Sequence, residues 1–141
     1  MGTDILSITK LSPRTKTLLV ENGAIQLPAS SAYVEIISEF NCEEYDRMTV
    51  QFRNADSAAY TAQVWGSLHT APAALGTSAV PASSYWVQIG DDIVVGATSS
   101  ALKSISTTGL RKLAIRAKSA DASGTYDLPA SNVLVHCQGT I

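Results

Sequence analysis

The sequence is short of the groups that carry chemistry. Among 141 residues it has two histidines, two cysteines and two tryptophans, and Asp, Glu, Lys and Arg together make up only 16%. No G-x-S-x-G elbow, phosphate-binding glycine loop, dinucleotide-binding glycine pattern or H-E-x-x-H occurs. His69 and His136 are the only histidines, and no acid or nucleophile is tied to either by spacing. Cys42 and Cys137 match no metal-ligand spacing and allow at most one bridge. They read as reduced, buried thiols that pack like small hydrophobes. No run approaches the ~20 apolar residues of a membrane span. The N-terminus lacks an apolar run with a cleavage site, and Leu6 stands where myristoylation requires Ser or Thr. The net charge of −2 disfavours a partner held by attraction to phosphate. These absences predict no enzyme, cofactor, metal, nucleic acid or membrane, in a soluble chain made in a cytoplasm.

What remains is aliphatic and alternating. Hydrophobic residues reach 45%, too many for disorder at this charge content. The clearest stretch is 109–119, G-L-R-K-L-A-I-R-A-K-S. Leu113, Ile115 and Ala117 alternate with Lys112, Ala114, Arg116 and Lys118, the two-residue period of a strand with an apolar inside and a basic outside. Residues 16–21, 33–40, 47–53, 60–68, 85–89, 93–97, 102–106 and 132–138 read as further strands, separated by Asn-Gly, Asp-Ser, Gly-Asp-Asp and Thr-Gly turns. Three related segments, Leu27-Pro28-Ala29-Ser30-Ser31, Val80-Pro81-Ala82-Ser83-Ser84 and Leu128-Pro129-Ala130-Ser131-Asn132, lead into strands. Proline cannot donate to a ladder and so sits just outside one. Gly90-Asp91-Asp92 predicts a tight hairpin between 85–89 and 93–97. A hairpin of 33–40 with 47–53 would set Glu35 opposite Arg53. About nine short strands without a helix predict a single all-β domain, an antiparallel β-sandwich or jelly roll. Residues 1–15 form an arm or a short first strand, and residues 16–141 the sandwich.

The expected functional surface is an interface. Trp65 shares the polar parity of Thr61, Gln63 and Ser67, and Trp86 that of Gln88, at the two ends of the connection 69–84. A structureless connection of that length is unusual in a compact domain. Three readings stand for the tryptophans: the connection folds back over them, they anchor a subunit contact, or they form a platform for a sugar ring. The outward cations Lys112, Arg116 and Lys118 read as a solvated strip, an ion-pair partner for Glu35 and Glu39, or a dock for an acidic neighbour. Ile5, Leu6, Ile8 and Leu11 in the arm, together with His69 at the start of the long connection, complete the interface candidates.

The segments Y-T-A-Q-V-W-G-S at 60–67, S-Y-W-V-Q-I at 84–89 and I-S-T-T-G-L-R-K-L-A-I-R-A-K at 105–118 resemble a small β-sandwich module of tailed-bacteriophage virion proteins. The resemblance covers under half of the chain. It implies a head decoration (cement) protein sitting as a homotrimer on the major capsid protein at the capsid surface, assembled in the host cytoplasm. The alternative it leaves is a fibre or tail module that recognises a glycan receptor through Trp65 and Trp86.

Overall fold

The computed structural model describes residues 15–29, 32–78, 81, 83–121 and 123–140. Eleven strands follow one another: β1 (Thr15–Glu21), β2 (Ile25–Leu27), β3 (Val34–Asn41), β4 (Arg47–Asn54), β5 (Tyr60–Ser67), β6 (Val87–Gln88), β7 (Ile93–Val95), β8 (Ser99–Ser106), β9 (Lys112–Ser119), β10 (Tyr126–Leu128) and β11 (Val133–Thr140). One sheet has the order β1-β11-β4-β8, and a second has the order β3-β9-β5-β6 with β7 also on β5. All pairings are antiparallel. The protein is an all-β sandwich of jelly-roll type. Its core consists of the inward rows of both sheets: Met48, Val50 and Phe52 of β4, Val133, Val135 and Cys137 of β11, Tyr60, Ala62 and Val64 of β5, and Leu113, Ile115 and Ala117 of β9.

The long strands never pair with their long neighbours in sequence. β1, β4, β8 and β11 lie in the first sheet, while β3, β5 and β9 lie in the second, so the chain alternates between sheets at each step. The expected hairpin of β3 with β4 is therefore absent. The turn at 42–46 arches between the layers, Glu35 lies opposite Arg116, and Arg53 lies opposite Ser100. An alternating sequence specifies which side chains face the core, and an arch satisfies that as well as a hairpin does. The turn packs closely: a methyl group on Gly139 would meet the Glu44 carbonyl.

Gly90-Asp91-Asp92 is likewise no hairpin. β6 pairs with Trp65 and Gly66 of β5, and β7 pairs with Tyr60, Thr61 and Ala62 of the same strand. The two short strands are successive pieces of one edge, with Gly90 at φ 75° in the interruption between them. The strands at 25–27 and 126–128 were beyond reach of a periodicity argument at three residues each. They pair only with each other, and the two Leu-Pro-Ala segments that begin at Leu27 and Leu128 leave this ribbon.

Candidate functional site

β9 and β5 are the interior strands of the second sheet, and their outward rows were expected to be wet. They are covered instead. The connection after β5 runs across the sheet's outer face, where the Thr77 carbonyl accepts a 2.8 Å hydrogen bond from the Tyr33 amide. Leu75, fully buried, joins Trp65, Trp86 and Ala114 in a second small core. The Trp86 indole donates to the Ala73 carbonyl at 2.7 Å. Small Ala114 leaves room for the indoles. Of the three readings of the tryptophans, the fold-back is the one observed: Trp65 is 6% exposed and Trp86 5%.

Beside this core lies a polar network centred on Arg116, whose side chain is wholly buried. Its Nε donates to Gln63 Oε1 at 2.9 Å and its Nη1 to the Gly76 carbonyl at 3.2 Å. Gln63 Oε1 also accepts from the Trp65 indole at 3.0 Å. Gln63 Nε2 donates to Asp92 Oδ1 at 2.9 Å, as Gln88 Nε2 does at 2.7 Å. The Lys118 ammonium stands 4.9 Å from the Tyr33 ring centroid. Burial pulls the Arg116 pKa below its ordinary value against the opposing pull of Tyr33, Asp92 and Glu35. Burial also works against the charge on Asp92, but hydrogen bonds from Gln88, Gln63 and Tyr33 outweigh it and hold that carboxyl below its ordinary pKa. Buried polar atoms cost little when every one is paired, and among the described residues none lacks a partner. The arrangement is a fastener between the covering connection and the sheet.

The expected basic strip is thus corrected at its centre. Arg116 points outward from its own sheet as its parity requires, yet the covering layer removes it from solvent. Trp65, Trp86 and Arg116 offer almost no surface to a partner. Lys112 and Lys118 are half-buried at the margins, and His136 is exposed. Ile5, Leu6, Ile8 and Leu11 lie outside the described residues.

His69 belongs to a different feature. Its ring stacks on Tyr85 with centroids 4.2 Å apart, and its Nδ1 accepts from the Ala71 amide. The pair lines a depression of about 560 Å³ with Gly66, Ser67, Leu68, Ser84, Val87 and Leu110. Leu68, Tyr85 and Val87 are 66%, 56% and 66% exposed. Periodicity does not disclose this surface, because alternation with Trp86 and Gln88 gives Val87 the inward row of its strand. The signal was the run Leu68-His69 beyond the last paired residue of β5, where no partner strand remains to cover an apolar side chain.

Chemistry is otherwise quiet. Among the described residues no group of three or more His, Cys, Asp or Glu side chains is placed to hold a metal ion, and no helix is long and apolar enough to cross a membrane. Cys42 and Cys137 are free and buried in the main core. Burial pushes both thiols up to about 11, with Cys137 adding to the effect on Cys42, so the nucleophilic thiolate is scarce near neutrality.

No protein-family model and no curated protein sequence matches the chain. Solved structures do match in shape. A structure of the infectious bursal disease virus Gx strain covers 90% of this chain and 32% of its own, at 10% identity and a TM-score of 0.44. One from Bacillus endospore appendages, described as disulfide-linked pili, covers 92% and 91%, at 14% identity and a TM-score of 0.47. The VP2 subviral particle of infectious bursal disease virus covers 92% and 33%, at 8% identity and a TM-score of 0.42. The chain spans about a third of the length of the virus structures it matches. At these identities and TM-scores the likenesses assign no family and no role to this chain.

Proposed function

We propose that this chain is a structural virion protein that binds and stabilises a tailed-phage capsid as a decoration (cement) protein, associating with itself, as a trimer, and with the major capsid protein. The observation that carries the reading is the exposed apolar end of the sandwich, Leu68, Tyr85 and Val87 around a depression of about 560 Å³. Contiguous exposed apolar surface on an otherwise well-packed domain marks a protein contact. The resemblance of residues 60–67, 84–89 and 105–118 to virion sandwich modules supplies the partner. A cement protein requires a rigid core and reaching segments and has no need of an active site, and this reading gives the reaching role to the N-terminal segment ahead of β1, the arm expected from the sequence.

Co-sedimentation with capsids lacking the chain tests this. The intact protein pellets with the capsids. Deletion of residues 1–12 leaves a folded sandwich that does not pellet, and Tyr85→Asp or Val87→Asp weakens pelleting at least tenfold. Full capsid binding by the truncation removes the arm from the contact, and full binding by the Asp variants removes the apolar end. The glycan-recognition alternative rested on Trp65 and Trp86 as an exposed platform, and their burial takes that stacking surface away. Binding to a glycan array that is lost in Trp65→Ala or Trp86→Ala would restore it.

A further inference from the structure

The four lateral edges of the sandwich are not alike. In the second sheet both are broken: β3 carries register shifts between Glu35 and Ile37 and between Ile37 and Phe40, and the opposite edge is split into β6 and β7 around Gly90. Bulges and interruptions of this kind stop an edge from templating another strand. The first sheet ends differently. β1 pairs with β11 over its whole length, β8 pairs with β4 over its whole length, and neither ladder shifts register. Among the described residues each of these strands has a single neighbour. Each also carries one exposed leucine in its outward row, Leu19 at 60% and Leu102 at 72%. The inward cations that blunt many edges are occupied here. Lys16 is ion-paired with Glu44 at 2.8 Å, and the Lys103 ammonium lies against Gly90.

We infer that β1 of one copy of this chain adds to β8 of a second, joining their first sheets head to tail. The directions allow it. The sheet has four strands of alternating direction, so β1 and β8 of one copy run oppositely, and a neighbour in the same orientation meets β8 in antiparallel register. Setting Leu19 against Leu102 aligns all of β1, Thr15–Glu21, with residues 100–106. On the outward row Thr15 and Thr17 then face Ser106 and Ser104 and Glu21 faces Ser100; on the inward row Val20 faces Ala101, Leu18 faces Lys103 and Lys16 faces Ile105. Main-chain hydrogen bonds supply the affinity, and the leucine pair supplies the register. Such a contact closes into a ring or propagates as a filament according to its rotation. The inference rests on the edges alone and stands whether or not the chain binds capsids.

Sedimentation of the full chain over a range of concentrations tests it, with Leu19→Lys and Leu102→Lys as single-edge blocks at exposed positions. Wild type shows a weight-average mass that rises with concentration. Each variant alone stays monomeric, and an equal mixture of the two forms a dimer and nothing larger, because one free β8 remains for one free β1. A wild type that is monomeric at millimolar concentration overturns the inference, as does assembly retained in both variants. Self-association of Leu19→Lys alone gives a two-fold β8–β8 contact instead, and of Leu102→Lys alone a β1–β1 contact; either sinks the head-to-tail arrangement. Leu19→Ser and Leu102→Ser repeat the comparison without added charge should either Lys variant fail to fold.

Discussion

Arg116 lies between two aromatic rings, with its guanidinium carbon 4.7 Å from the centroid of Tyr33 and 5.0 Å from that of Trp65. The guanidinium is within cation–π range of both rings while its Nε donates to Gln63. Lysine carries the same charge and cannot do both. Arg116→Lys is expected to lower the unfolding free energy by about 1–3 kcal/mol, the cost of leaving buried hydrogen-bonding groups unpaired. Urea unfolding followed by tryptophan fluorescence reads it, since Trp65 reports on the same slot. A variant as stable as wild type would show that the network fastens nothing.

The Asp92 carboxyl gives an acid-side prediction. Its pKa is lowered in the folded state. The stabilisation is therefore complete above the unfolded carboxylate value of about 4 and is lost as pH falls through the lower folded value. Asp92→Asn should be less stable than wild type at neutral pH, and the two should converge under acid. Thermal melts across an acid series check the convergence. A constant gap between the two curves would assign the loss to the hydrogen bonds alone.

The thiols give the alkaline counterpart. Both are raised to about 11, above the unfolded value of about 8.5. Stability is intact below the unfolded pKa and falls as pH rises from there through the folded value. In native protein near neutral pH, Cys42 and Cys137 should resist iodoacetamide and become reactive in urea. Mass spectrometry of the alkylated protein counts the modified sites. Cys42→Ala with Cys137→Ala should flatten the alkaline limb of the stability curve.

Gly139 tests the arch. An added Cβ would face the Glu44 carbonyl and lie 3.1 Å from the Tyr45 Cα, both of them backbone. Overpacking against atoms that cannot rotate away costs about 1–3 kcal/mol. Gly139→Ala should lower stability by that amount, whereas Ala at exposed Gly23, which has open space around its Cβ position, should not. Paired denaturation curves decide it.

The strands were legible because burial imposes a two-residue period. Met48, Val50 and Phe52 on β4 or Leu113, Ile115 and Ala117 on β9 declare an inside wherever their partner strand lies. Partner choice was not legible, because the turns at 42–46 and 90–92 are short enough for either a hairpin or an arch, and only the packing of two sheets selects between them. Residues 25–27 and 126–128 are too short for a period to show. For the same reason the sequence placed Trp65, Trp86 and Arg116 correctly on an outward row and could not say what lay beyond it.

For the strand at 109–119 the sequence alone settled its two rows, since the alternation of Leu113, Ile115 and Ala117 with Ala114 and Arg116 admits a single arrangement on a sheet. Whether the second row met water was a tertiary matter. That depended on a connection of Ala, Pro, Ser and Thr with no period of its own, which crosses the sheet because Leu75 and Trp86 have apolar surface to bury there and Gly76 has a carbonyl to offer Arg116. Local pattern records a strand's own geometry. What covers it depends on contacts between residues far apart in the chain, and no local pattern carries those.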